Sequence, residues 1–121
     1  MNNETVNDSG AMLIRQKAHQ FVLAVYNYSD YFPQKETLGL TALLRRAAIS
    51  IALNAAEAMR PRNDGQQLSL DAARRSVEEC IYYLILAKDL GYGDHPELIP
   101  QLEEIKQLLE QRGREIRPSD S

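Results

Sequence analysis

Gly39-Leu40-Thr41-Ala42-Leu43-Leu44-Arg45-Arg46-Ala47-Ala48-Ile49-Ser50-Ile51-Ala52-Leu53-Asn54-Ala55-Ala56-Glu57-Ala58 is the stretch whose reading decides the fold. Set on a helix at about 100° per residue, it carries two apolar faces. Leu40, Leu43, Leu44, Ala47, Ile51, Ala55 and Ala58 keep the three-and-four spacing of a stripe that faces a core. Ala42, Ile49, Leu53 and Ala56 lie on nearly the opposite side, and a polar file of Arg46, Ser50, Asn54 and Glu57 runs between the two. A helix that is apolar on both sides is expected to be buried on both sides. In a chain of 121 residues one of those sides is expected to meet another subunit.

Working outward from this helix, the flanking segments read as three more. Ile14, Ala18, Phe21, Val25 and Tyr28 recur at helical spacing, with Phe32 closing the stripe, and predict a helix from about Ala11 to Tyr31. Phe32-Pro33 ends it, because a residue before proline disfavours the helical region. Pro61 stops the second helix near Arg60, and Arg62-Asn63-Asp64-Gly65 reads as a turn. Leu70, Ala73, Val77, Cys80, Leu84 and Ala87 carry a third helix from about Gln66 or Ser69 to Leu90, where Gly91 is placed to cap it. Pro96 suits the first turn of a fourth helix, which Leu98, Ile99, Leu102, Ile105, Leu108 and Leu109 extend to about Arg112.

No segment reads as a strand. The expected architecture is an all-α, up-down-up-down four-helix bundle over residues 11–113, between a flexible arm (1–10) and a flexible tail (114–121).

Composition narrows the function. Hydrophobic content of 44% and charged content of 26% are those of an ordinary globular protein. No run reaches the roughly 18 apolar residues of a membrane span, and no signal-peptide pattern opens the chain. One cysteine, Cys80, rules out an internal disulfide framework, so a cytoplasmic protein is expected. The net charge of −3 argues against a molecule coated in basic surface for nucleic acid.

The chemistry-bearing residues group as follows. Arg45 and Arg46 on helix two, with Ser76 and Glu79 on helix three, predict a partly buried ion pair to Glu79 that fixes helix register; phosphate binding is the alternative. Asn54 is expected to cap or cross-link a neighbouring helix. Arg60, Arg62, Arg74 and Arg75 could gather as a basic rim at one end of the bundle, the alternative being ordinary solvated surface. Ile81, Tyr82 and Ile85 lie off the stripe of helix three and join Ala42, Ile49, Leu53 and Ala56 as an expected oligomer interface. His19 and His95 stand alone, and the Glu-x-x-His pattern of di-metal bundles is absent, so no metal, cofactor or catalytic residue is assigned. Cys80, on the core stripe, reads as a small buried hydrophobe.

Val25-Tyr26, Phe32-Pro33 with Glu36, Gly39-Leu40-Thr41, Leu44-Arg45-Arg46-Ala47-Ala48, Ser50-Ile51, Asn54, Ala56-Glu57, Ala73, Ser76, Glu79 and Leu90-Gly91-Tyr92 together resemble the four-helix bundle proteins encoded in intervening sequences of bacterial 23S ribosomal RNA genes. The accessory variability determinants of diversity-generating retroelements have a similar fold. Departures are Leu43, where the family often has glutamine, Ala52 in place of proline, and Ala58 and Arg75 in place of glycine. The resemblance implies a homopentamer of bundles and no enzymatic activity. It attaches nucleic-acid binding mainly to the retroelement branch, whose basic character this chain lacks. The expected function is therefore binding or scaffolding by a self-assembling bundle, with weak RNA or DNA binding through a basic rim as the alternative.

Overall fold

A computed structural model describes the chain at residues 2–61 and 64–116, with side chains described from Gly10 onward. Four helices make it up: α1 (Asn2–Ser29), α2 (Leu40–Ala58), α3 (Gln66–Asp89) and α4 (Leu98–Ile116). A single 3-10 turn, Gln34–Glu36, lies between α1 and α2, and the described residues contain no strand. Each helix packs on two neighbours, α1 and α3 each against α2 and α4. Every such pair is antiparallel. Arg45 reaches back to Ser29 and Ser50 to Ser76, while Lys106 meets Glu78 and Lys17 meets Glu104. Short connections force this arrangement, since a helix that leaves a tight turn must run back along its predecessor.

The core follows the apolar stripes. Ile14, Ala18, Phe21, Val25 and Tyr28 of α1 are buried, as are Leu70, Ala73, Val77, Cys80, Leu84 and Ala87 of α3. On α4 the inner row is Leu98, Leu102, Ile105 and Leu109. Burial pushes the Cys80 thiol up to about 12, so it stays a neutral packing group. Alanines at 47, 48, 55 and 58 line the buried side of α2, so its backbone comes close to both neighbours. Thr41 and Ala48 join that side, whereas Leu43, expected in the stripe, is exposed. Leu43 lies at the edge of that side and is 42% exposed.

Element ends differ from the apolar pattern. The backbone of α1 is helical from Asn2, ahead of the expected start near Ala11, although Ala11 is the first buried residue. Its end is Ser29 rather than Tyr31, because the Ser29 hydroxyl turns back to donate to the Val25 carbonyl and the chain tightens towards Pro33. α4 continues to Ile116, beyond the expected end near Arg112; Met1, Arg62, Asn63 and 117–121 lie outside the described residues.

Two loops meet at one end of the bundle, and the resemblance residues explain how. Glu36 uses one carboxylate oxygen to accept the Leu40 N–H at 3.1 Å, which satisfies a donor at the start of α2. Its other oxygen accepts the Tyr92 hydroxyl at 2.7 Å. The Tyr92 ring packs on Phe32 with centroids 5.4 Å apart. Gly39 suits this geometry: a Cβ there would stand 2.8 Å from the Glu36 carboxylate, which would have to shift from its two hydrogen bonds. On the other loop Gly91, at φ 81°, ends α3 in the left-handed region. Tyr92 N–H then reaches the Ala87 carbonyl and Gly91 N–H the Lys88 carbonyl, which aims the Tyr92 ring at Phe32. Phe32, Pro33, Glu36, Gly39, Gly91 and Tyr92 therefore form a mechanical clamp between two loops.

The clamp should titrate. The Tyr92 hydroxyl and then the Leu40 N–H hold Glu36 below the usual carboxylate range, and the Glu36 hydrogen bond raises the Tyr92 phenol. A lowered carboxylate contributes stability above its unfolded pKa and loses it as pH falls through the folded value; a raised phenol contributes below its unfolded value and loses it as pH rises through the folded one. Denaturant unfolding of the wild type and Glu36→Gln should therefore differ most between roughly pH 5 and 9 and converge in acid. An equal gap at pH 7 and pH 3 would disprove the clamp.

Candidate interaction surface

The polar file on α2 is only partly assembled in the way the sequence suggests. Ser76 on α3 donates its hydroxyl to Ser50 Oγ at 2.8 Å, a direct α2–α3 link. Asn54 bonds within its own helix, donating to the Ser50 carbonyl at 2.9 Å and to Ser50 Oγ at 3.1 Å. The cross-helix link is thus made by Ser50, and Asn54 orients that hydroxyl from one turn away. Glu57 pairs locally with Arg60 at 3.3 Å.

The expected pair to Glu79 does not form within the subunit. Glu79 is exposed, and among the described residues it has no ion-pair partner. Arg46 is exposed as well, on the outward side of the same α2–α3 seam. Arg45 points the other way, towards α1. Its Nε donates to Ser29 Oγ at 2.8 Å, its guanidinium pairs with Asp30 at 2.9 Å, and its Cζ lies 4.3 Å from the centre of the Tyr26 ring. The two arginines are adjacent in sequence and so about 100° apart around the helix, which is enough to send them to different neighbours. The register-fixing arginine joins α1 to α2, and its partners are a hydroxyl and an aromatic face as well as a carboxylate.

The expected interface residues divide into two groups. Leu53 is 67% exposed and Ile49 37%, flanked by the half-buried Ala42 and Ala56, so this side of α2 faces outward from the subunit. Tyr82 is 59% exposed on α3 and stacks edge-on with Tyr83, and Leu68 is exposed on the same helix. Ile81 and Ile85 turn elsewhere. Ile81 packs against the core, and Ile85 borders a hollow shared with Leu98 and Ile99 of α4. Off-stripe position alone could not separate the outward side of α3 from the side that meets α4.

Two of the four arginines expected at a rim, Arg60 and Arg74, are engaged. Arg74 pairs with Asp71 at 3.2 Å and lies across Gly113 of α4, where a Cβ would stand 2.6 Å from its guanidinium. Arg60 pairs with Glu57, Arg75 is exposed, and Arg62 lies outside the described residues. Arg112, which the sequence did not single out, is the best-fixed arginine at this end. It donates to the carbonyls of Ala58 and Arg60. Among the described residues no three His, Cys, Asp or Glu side chains group in a way that could hold a metal ion, and no helix is long and apolar enough to cross a membrane.

Antiparallel helices around one apolar core, with short loops, define a four-helix bundle protein. The family model described as 23S rRNA-intervening sequence protein matches residues 11–111, and the chain belongs to that family. A solved structure from Bacteroides thetaiotaomicron, described as a protein of unknown function from the S23 ribosomal protein family, is similar in fold. It aligns with a TM-score of 0.73 at 20% identity, covering 84% of this chain and 96% of that one. No curated protein matches the chain.

Proposed function

We propose that this chain is a non-enzymatic binding or scaffolding protein whose subunits self-associate through the outward side of α2. One observation carries the reading: Leu53 and Ile49 stand exposed between two alanines on a helix whose other side is the most alanine-rich wall of the core. Large aliphatic side chains on an otherwise flat helical surface favour a contact that removes them from water, at about 25 cal/mol per Å² of apolar area. A closed ring of more than two copies needs two different complementary patches. The α2 side supplies one; Tyr82 and Leu68 on α3 are suited to supply the other. A homopentamer, in keeping with family resemblance, satisfies this requirement.

Nothing specific favours nucleic acid as the ligand. Arg60 and Arg74 at the α2–α3 end sit beside Glu57 and Asp71, which reduce the charge available to a phosphate backbone.

Leu53→Glu and Ile49→Glu each place a charge in the contact without touching the buried stripe, so both should give soluble, fully helical species of smaller mass. Light scattering on size-separated protein, with circular dichroism for helicity, reads the outcome. A wild type that runs as a monomer, or variants with an unchanged oligomer, would overturn the proposal.

A further inference from the structure

At the end of the bundle near the α3–α4 loop lies a hollow of about 470 Å³, walled by α1, α3, α4 and that loop. Its size falls within the roughly 300–1,000 Å³ common for small-molecule sites. The floor is apolar: Leu84 and Leu98 are buried beneath it, and Ile85 and Ile99 border it. Ile85 is the telling residue, because a large aliphatic side chain is kept exposed where it gives one wall of a concave surface.

The opposite wall is held in place before any ligand arrives. Tyr28 donates its hydroxyl to the Gly93 carbonyl at 2.8 Å, and its ring meets His95 edge-on at 5.8 Å. His95 Nδ1 stands 2.7 Å from Glu97 Oε1, close enough for an ion pair when the ring is protonated but outside hydrogen-bond geometry. The rim carries Lys88, Asp89 and Asp94. Lys88 approaches Asp94 only to 3.7 Å, and among the described residues Asp89 has no ion-pair partner. Two carboxylates against one ammonium leave the mouth negative, and Glu97 beside it adds to that sign.

An apolar floor beneath a negative rim selects one chemistry. We propose that this hollow is a binding site for a small amphipathic cation, an alkyl- or arylammonium whose apolar body lies on Ile85, Leu98 and Ile99 and whose ammonium is held by Asp89 and Asp94. A free small molecule is the occupant, since the concavity receives its apolar body from several sides.

The test compares matched six-carbon probes on the full chain by amide chemical-shift titration. Hexylammonium should bind with a Kd on the order of 1 mM, as its size allows, and shift the amides of residues 84–99. Hexanoate and hexanol should bind at least about tenfold more weakly. The combined Asp89→Asn and Asp94→Asn variant should lose about tenfold for hexylammonium and nothing for hexanol, which separates a lost charge from a collapsed hollow. Equal binding of the three probes, or shifts confined to other residues, would overturn the cation site. Tighter binding of Nα-acetyllysine amide than of hexylammonium would assign the hollow to a protein lysine and overturn the small-molecule occupant.

Discussion

Phe21→Ala should lower the unfolding free energy by about 3–5 kcal/mol, among the largest effects of any single substitution in this chain. Phe21 is fully buried in the C-terminal half of α1. Its ring is the largest side chain shielded completely from water, one turn from Ala18 and Val25, which are buried too. Truncation removes the apolar area of a phenyl group and leaves a cavity. The cavity cannot close cheaply, because α1 is held against α2 at one end by Arg45 and against α4 near its middle by Lys17 and Glu104. Neighbouring side chains would have to leave their rotamers to fill the space. Tyr31→Ala is the matched control, since Tyr31 is largely exposed and its loss should fall within about 0.5 kcal/mol. Urea unfolding of both variants reads the difference. A cost for Phe21→Ala below about 1 kcal/mol would place that ring outside the core.

The burial of Phe21 is the kind of fact that spacing encodes. A side chain repeated every three or four residues has nowhere to go but one side of a helix, so the inner rows of α1, α3 and α4 were legible from sequence. α2 was harder. Its small residues make the buried side broad and its edges ambiguous, which is why Leu43 looked like core and Thr41 and Ala48 did not. Periodicity also gives no azimuth relative to neighbours. It showed that Ile81, Tyr82 and Ile85 leave the core stripe of α3, but whether they face solvent or α4 depends on where α4 lies.

Polar partners were least legible, because they join residues far apart in sequence. Arg45 meets Ser29 and Asp30 across 15 or 16 positions, and Tyr92 meets Glu36 across 56. Charge complementarity suggested Glu79 for an arginine of α2; the geometry sends Arg45 to α1 and leaves Glu79 in water. The residues that carry the family resemblance proved more informative. Six of them meet in the clamp between the α1–α2 and α3–α4 loops, so what they specify is an angle between loops rather than a reaction. A motif made of geometry of this kind identifies a fold without identifying a ligand.

Removing Gln66 and Arg112 together should cost on the order of 4 kcal/mol, more than the sum of about 1 kcal/mol for each alone. The carbonyls at the end of α2 have no partner within the helix. Here the carbonyl of Ala58, the last residue of α2, and that of Arg60, two residues past it, are each served twice. Gln66, buried at the start of α3, donates to Ala58 at 3.0 Å and Arg60 at 2.6 Å. Arg112 of α4 donates Nε to Ala58 at 3.1 Å and a second nitrogen to Arg60 at 3.3 Å. Only 12% of the Arg112 side chain is exposed, so its charge also sits in a favourable position at the negative end of the α2 dipole. With one donor gone, each carbonyl keeps the other. With both gone, two backbone oxygens face a partly buried space without a donor, and that desolvation cost appears only in the double variant. A double-mutant cycle by chemical denaturation measures the coupling directly, and strictly additive losses would mean that water replaces the donors freely. Arg112→Lys separates charge from geometry. An ammonium keeps the interaction with the helix dipole but cannot fork across two carbonyls, so it should recover part of the loss and leave the coupling to Gln66 reduced. Full recovery by lysine would show that the dipole, and not the paired hydrogen bonds, secures the end of α2.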